Sequence, residues 1–148
     1  ILDIAEQFFG TASDPSQMPI TKESFYKLQK LHPKTLVCET ENGEPISWVV
    51  TLPTSKELAD KFLRGEINER ELLDMTKPQE LYEALYLCAA FTIPEHRRKG
   101  YSIKMLKEVI DAIPHIEDVK LFAWPYSSEG KLLIEKLGYE LGVKISLK

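Results

Sequence analysis

Between Ile93 and Ile103 the chain reads IPEHRRKGYSI, with His96, Arg97, Arg98 and Lys99 in succession before Gly100 and the small Ser102. An apolar pattern of helical period then runs through Ile103, Leu106, Ile110 and Ile113, so the basic run sits in a turn that opens a helix. A helix start already carries partial positive charge, and four basic residues are poorly placed there for stability. An anionic ligand offsets that placement. The free backbone N–H groups of a helix start bind phosphate, Gly100 permits a close backbone turn, and Ser102 leaves room for a ligand to approach. Arginine and lysine beside such N–H groups suit a ligand with several phosphates. The alternative is that HRRK is a solvated surface loop, and composition alone does not separate the two.

Composition narrows the ligand. The net charge is −4, which disfavours a general affinity for nucleic acid or for an anionic membrane, so the basic run is a local feature of an acidic chain. Aromatic stacking motifs for single strands are absent as well. A chain of 148 residues fits one domain, burying roughly 70% of its unfolded surface. No apolar run approaches the ~20 residues that span a bilayer. Cys38 and Cys88 lie in apolar, strand-like runs, and two thiols at this size point to a reducing, cytoplasmic setting. No paired Cys or His spacing suggests zinc, and His32, His96 and His115 read as surface or loop residues.

The elements that must position the turn can be read from periodicity. Ile1 to Phe9 has helical spacing and stops at Gly10; a second helix opens at Thr21, its cap, with Ile20 and Phe25 spaced as a hydrophobic staple. The run TLVCETENGEPISWVVTLP reads as a β-hairpin around Asn42-Gly43. A polar insert from about Thr54 to Pro78 holds two short helices, capped by Thr54 with Glu57 and by Asn68 with Glu71 and separated by Gly65. Ala84 to Ile93 has the length and composition of a buried strand, and Val119 to Trp124 of a shorter one. A helix over Ser127 to Leu137 and a strand in GYELGVKISLK close the chain. The second half is thus strand–helix–strand–helix–strand, which implies a right-handed crossover and a parallel pair; with the hairpin, the sheet is mixed α/β.

Neither a dinucleotide fingerprint nor a Walker loop is present. What remains is R-x-x-G-x-S, from Arg97 to Ser102, after a strand that ends Thr92, Ile93, Pro94. It resembles the Q/R-x-x-G-x-G/A signature of the GNAT superfamily of acyl-CoA-dependent N-acyltransferases, with Ser102 at the usual Gly or Ala. EKLGYE, from Glu135 to Glu140, is similar to the segment that ends the family's second conserved block. The likeness runs from about Ala84 to Glu140.

The resemblance implies a mixed, mostly antiparallel sheet with one splayed parallel strand pair, helices on both faces, and a single domain over residues 1–148 with the helical insert at about 54–78. The family's strand before the first helix is expected upstream of Ile1. The resemblance further implies acetyl-CoA as co-substrate. Its diphosphate would lie on Arg98, Lys99, Gly100, Tyr101, Ser102 and Ile103, and its pantetheine arm along Phe91, Thr92 and Ile93. Ser127, where the family often has an asparagine, is carried over as a further cofactor contact. The backbone N–H of Thr92 would hold the developing oxyanion while a primary amine attacks directly.

The family's frequent acid and base positions fall on Ile134, Cys88 and Phe122, none of which can serve. Tyr126 stands in as the acid, with Tyr101, Glu83 and Tyr86 as further possibilities; for each, packing or a surface role is the competing explanation. Cys88 reads as a core thiol rather than a nucleophile. In the family's strand order Cys38 and Cys88 lie two strands apart, too far for a disulfide. Two functions follow: an N-acetyltransferase acting on a small-molecule or peptide amine, as a monomer or homodimer without metal, or a non-catalytic acyl-CoA-binding or interaction module. Trp48, Tyr86 and Trp124 could line the acceptor pocket, against a plain core role.

Overall fold

The computed structural model describes residues 17–19, 21–113, 118–125 and 127–148. The helix expected over Ile1 to Phe9, the staple residue Ile20, His115 and Tyr126 lie outside the described residues. Helix α1, Lys22–Leu31, is capped by Thr21, whose Oγ1 accepts from the Ser24 N–H at 3.1 Å. Leu28 and Leu31 form its buried side. Strands β1 (Leu36–Glu41) and β2 (Glu44–Thr54) make the hairpin. Its two loop residues, Asn42 and Gly43, both have positive φ, 52° and 81°, as the two-residue turn matching strand twist requires.

The insert yields two helices, α2 (Lys56–Leu63) and α3 (Glu69–Met75). The cap of α2 is Ser55, which accepts from the Leu58 N–H at 3.2 Å, not Thr54. Thr54 stays in β2, and its hydroxyl pairs with that of Thr76 at 2.7 Å. The Asn68–Glu71 capping box of α3 forms as expected, with bonds of 2.8 and 3.0 Å.

Strand β3 (Ala84–Thr92) leads through a 3-10 turn, Pro94–His96, into α4 (Tyr101–Ala112). Strand β4 (Lys120–Ala123), helix α5 (Ser128–Leu141) and strand β5 (Ser146–Leu147) follow. The five strands lie in chain order: β1–β2 and β2–β3 are antiparallel, β3–β4 and β4–β5 parallel. It is an open, mixed α/β sheet with two parallel pairs beside two antiparallel ones, not the mostly antiparallel sheet with a single parallel pair that the resemblance implies, because β5 follows β4 through a helical crossover rather than a hairpin.

The closing segment differs from expectation. Gly138 to Leu141 are helical, Tyr139 is 89% exposed on α5, and the last strand is two residues long. Gly142, at φ 67°, stops the helix, with Val143 N–H bonded to Gly138 O at 3.1 Å and Gly142 N–H to Tyr139 O at 3.3 Å. Gly138 is there for room rather than as a stop: a Cβ on it would stand 3.1 Å from the Val143 carbonyl.

Two cores flank the sheet, because successive strand residues face opposite ways. Tyr86 faces α1, α2 and α3 with Leu28, Phe62, Leu72, Trp48 and Phe122. Leu85 and Leu87 face α4 and α5 with Met105, Leu106, Val109 and Leu137. Helices thus cover both faces. No helix among the described residues is long and apolar enough to cross a membrane.

Candidate functional site

The parallel pair β3–β4 is short. It runs from Ala84–Lys120 to Leu87–Ala123, whereas β3 pairs with β2 all the way to Thr92–Ser47. Beyond Leu87 the two parallel strands part, and among the described residues β2 alone stays paired with β3. A bulge marks the place: Val50 opposes Ala89 and Thr51 opposes Leu87, so Cys88 is the extra residue of β3. Further along, the Ile93 N–H bonds to Ile46 O at 2.9 Å. In an antiparallel ladder successive residues alternate, so the backbone groups of Thr92 point away from β2, into the opening between β3 and β4.

The turn that follows is built for backbone exposure. His96 N–H bonds to Ile93 O at 2.9 Å and Arg97 N–H to Pro94 O at 3.3 Å. Arg98 and Gly100 then take left-handed conformations, φ 65° and 79°. Such residues turn consecutive N–H groups toward a common point, a concavity suited to anions. Gly100 is the N-cap of α4, so no side chain accepts from the first-turn N–H groups, and that turn holds no acidic residue. Every other α-helix described here differs: Thr21, Ser55, Asn68 and Ser127 cap with their side chains, and each first turn carries glutamate.

The four basic residues divide in two. His96 lies in the connecting turn, a loop position as its sequence context suggests, but its side chain is only 17% exposed and its Nε2 meets Glu41 Oε2 at 2.9 Å. Arg97 folds back, its Nε donating to Thr92 O at 3.0 Å with its guanidinium over the Phe91 ring. Arg98 and Lys99 are exposed and make no ion pair among the described residues. The mobile charge beside the concavity is therefore theirs. A chain of hydroxyls braces the strand end: Ser47 Oγ donates to Phe91 O at 3.0 Å and lies 2.7 Å from Thr92 Oγ1, which lies 3.4 Å from Ser102 Oγ. Because Ser47 spends its proton on the carbonyl, Thr92 must donate to Ser47 and Ser102 to Thr92. Ser102 therefore ties the start of α4 to β3 as well as leaving space.

The sheet face turned toward α2 and α3 carries a wall of aromatic rings and one buried acid, packed over the paired stretch of β3 and β4. Phe62 of α2 is fully buried, with ring centroids 4.9 Å from Tyr86, 5.8 Å from Phe122 and 6.3 Å from Trp124. Glu69 of α3 is 5% exposed, the one carboxylate among the described residues in the buried core. Its Oε1 accepts from the Met18 N–H at 2.8 Å and its Oε2 from the Tyr86 hydroxyl at 2.5 Å. The Cys88 thiol also hydrogen-bonds to Glu69. Burial first, then the Glu69 charge and that bond, push the thiol well above its ordinary pKa. Cys88 is thus protonated and unreactive at neutral pH, as its sequence context suggests.

The expected contacts from Phe91 to Ile103 converge on one strand end and one helix start. Ser127 caps α5, its Oγ accepting from the Gly130 N–H at 3.0 Å, so its hydroxyl is already in use as an acceptor. Tyr101 opens α4, half-buried against the α4–α5 core and edge-on to His96. Glu83 is removed from the candidates: it precedes β3, at the far end from the turn, where it accepts from the Lys56 N–H at 3.3 Å. Trp48 and Tyr86 are core residues by their rings, while Trp124 is only partly buried at the opening. A cavity of about 760 Å³ lined by Lys56, Glu83, Asp118 and Lys120 also lies at that far end. Open α/β sheets bind ligands at the carboxyl ends of their parallel strands, so it is set aside.

Glu69 is the residue the motif search missed, yet a signal exists. Glu69, Leu72 and Leu73 are spaced i, i+3, i+4, which puts the carboxylate on the helix face that Leu72 and Leu73 bury. Among the described residues no cluster of His, Cys, Asp and Glu could hold a metal ion. No family model matches the chain, and no curated protein and no solved structure matches it either.

Proposed function

We propose that the protein transfers the acetyl group of acetyl-CoA to a primary amine by direct attack, on a GNAT-like fold. One observation carries this: the only described α-helix start without a side-chain cap lies one short turn after the strand that outruns its parallel neighbour. A diphosphate suits the first, with Arg98 and Lys99 alongside and the N–H groups of Tyr101, Ser102 and Ile103 beneath. An amide-rich arm suits the second, because backbone groups facing the opening past Leu87 need partners. Acetyl-CoA carries both in that order. The basic run that is awkward in sequence then has a counter-charge.

In this reading the Thr92 N–H, turned into the opening, stabilises the charge that develops on the thioester oxygen. The amine nitrogen bonds to the carbonyl carbon, the carbon–sulfur bond breaks, and the thiolate takes a proton. An alkylamine, with a pKa near ~10.4, arrives as ammonium and must first lose one. Glu69 is the carboxylate available on that face to accept it, through Tyr86 or directly. Tyr126, outside the described residues, remains the proposed proton donor to sulfur. Most of the rate would come from positioning and carbonyl polarisation. The setting is read as cytoplasmic, with both thiols free.

A second reading, a non-catalytic acyl-CoA-binding module, is favoured by Ile134, Cys88 and Phe122 at the family's acid and base positions. Calorimetry with acetyl-CoA, followed by thiol release across a panel of primary amines, decides. Heat with turnover supports the enzyme, heat with silence across the panel supports the module, and no heat removes both.

A further inference from the structure

Past Leu87 the two edges of β3 are satisfied in different ways. On the β2 side the Phe91 carbonyl accepts from Ser47 Oγ at 3.0 Å, and the Ile93 N–H donates to Ile46 O at 2.9 Å. On the side turned to the opening, the Thr92 carbonyl accepts from Arg97 Nε at 3.0 Å. A strand that outruns its parallel neighbour leaves such groups without a ladder partner, and an unpaired peptide carbonyl away from water is costly. In the free protein the Arg97 side chain supplies that partner.

The contact is possible because the chain reverses on itself. His96 N–H bonds to Ile93 O and Arg97 N–H to Pro94 O, which returns Arg97 beside the strand it has just left. Its guanidinium then lies 5.9 Å from the centroid of the Phe91 ring, and that ring is itself fixed against Trp48 at 4.8 Å. Arg97 thus lies along Phe91 and Thr92, the stretch proposed for the amide arm of the cofactor.

The hold is a light one. The bond is exposed, so water competes for both partners. A cation 5.9 Å from a ring centroid is at the outer limit of useful attraction. His96 differs, its side chain only 17% exposed and held to Glu41 at 2.9 Å. Of the two basic side chains that fold inward, Arg97 is the one free to leave.

We propose that Arg97 is an internal plug for the arm of acyl-CoA: its Nε–H holds the Thr92 carbonyl in the free protein, and an amide N–H of the arm takes its place on binding. This rests on the acetyl-CoA reading and deepens it by assigning a residue that regulates access to that site. The plug stabilises the empty strand end and weakens affinity for the arm, because each binding event must break the Arg97 bond. The charge of Arg97 acts on the phosphates instead, so the two effects can be separated by the choice of ligand.

The test compares the wild type with Arg97→Met, which keeps an apolar stem over Phe91 and loses the donor. Acetyl-CoA and 3′-phospho-ADP, which carries the same phosphates without the arm, are titrated into each by calorimetry, with competition where either is weak. The ratio of the two affinities reports the arm alone, since the lost charge affects both ligands alike. That ratio is expected to rise by about 5-fold in Arg97→Met, and in Arg97→Ala as a second removal of the donor. An unchanged ratio with acetyl-CoA still bound means that the carbonyl serves both donors through its two lone pairs, and overturns the plug alone. A ratio that falls makes Arg97 a direct ligand of the arm and overturns it too. No heat from acetyl-CoA in any of these proteins overturns the acetyl-CoA reading, and the plug with it.

Discussion

Gly100→Asp, set against Gly100→Ala, separates the proposed phosphate site from the fold that carries it. Both substitutions meet open space, since a Cβ at Gly100 has nothing within 4 Å. Both also place a side chain at φ 79°, which costs about 1–2 kcal/mol, less for aspartate, which tolerates the left-handed region better. Aspartate recovers about 0.3–1 kcal/mol from the helix dipole. The alanine variant should therefore be the less stable of the two. Ligand affinity should run the other way. One carboxylate at ~6 Å from one phosphate charge, at an effective dielectric of ~20, is repelled by about 3 kcal/mol, or about 100-fold in affinity. Calorimetry with acetyl-CoA in both variants, at low and moderate salt, reads this directly, with thermal melts to confirm folding. Alanine should bind within about 3-fold of wild type, while aspartate falls by about 100-fold at low salt and less at moderate salt. Equal binding by two folded variants would sink the diphosphate assignment.

Glu69→Gln should remove most acyl transfer while leaving acetyl-CoA affinity within about 3-fold, and a loss of affinity equal to the loss of rate would disprove a proton-accepting role. The same variant removes the Glu69 charge that, after burial, helps hold the Cys88 thiol up, so iodoacetamide should modify Cys88 faster at pH 8; no change in rate would deny that the charge bears on the thiol. Phe62→Ala, which empties the centre of the aromatic wall, should destabilise the protein by about 3–5 kcal/mol in urea, and a shift under 1 kcal/mol would mean the wall is not packed as described. Asp60 offers a pH marker: the Lys120 hydrogen bond, ahead of the nearby positive charges, holds its carboxyl below the ordinary range. That contribution is present above the ordinary aspartate pKa and is lost as pH falls through the lower folded one. Carbon-detected NMR should show the depressed midpoint, and Lys120→Ala should raise it.

The hairpin, the capped helices α1 and α3, the buried strand before the basic turn and the helix after it were all legible along the chain. Asn42-Gly43 can do little else between two β-rich runs, and Gly100 before an apolar heptad-like pattern marks a helix start whatever surrounds it. Errors came where two local signals competed. The sequence predicts a helix ending at Leu137 and a strand from Gly138 on, and only the Val143 carbonyl packed against Gly138 shows that this glycine lies inside α5, which Gly142 ends. Thr54 has the capping spacing with Glu57, but β2 runs long enough to keep it in the strand and leaves Ser55 as the cap of α2. Glu83 looked close to the turn because it is close to β3 in sequence, although a strand of nine residues separates its two ends.

What the amino-acid order determined by itself is therefore the basic turn on which the proposed phosphate site rests, because a turn, its glycine and the helix behind it are neighbours along the chain and their geometry follows from local backbone preference. The proposed acceptor half was decided in three dimensions. Glu69 meets Tyr86 and Cys88 because the insert helices pack on that face of the sheet, and Lys148 stands over Phe62 and Trp124 because the last strand pairs with β4. Burial of a carboxylate and the stacking of a cation depend on what lies across the sheet, and no spacing within a single segment encodes that.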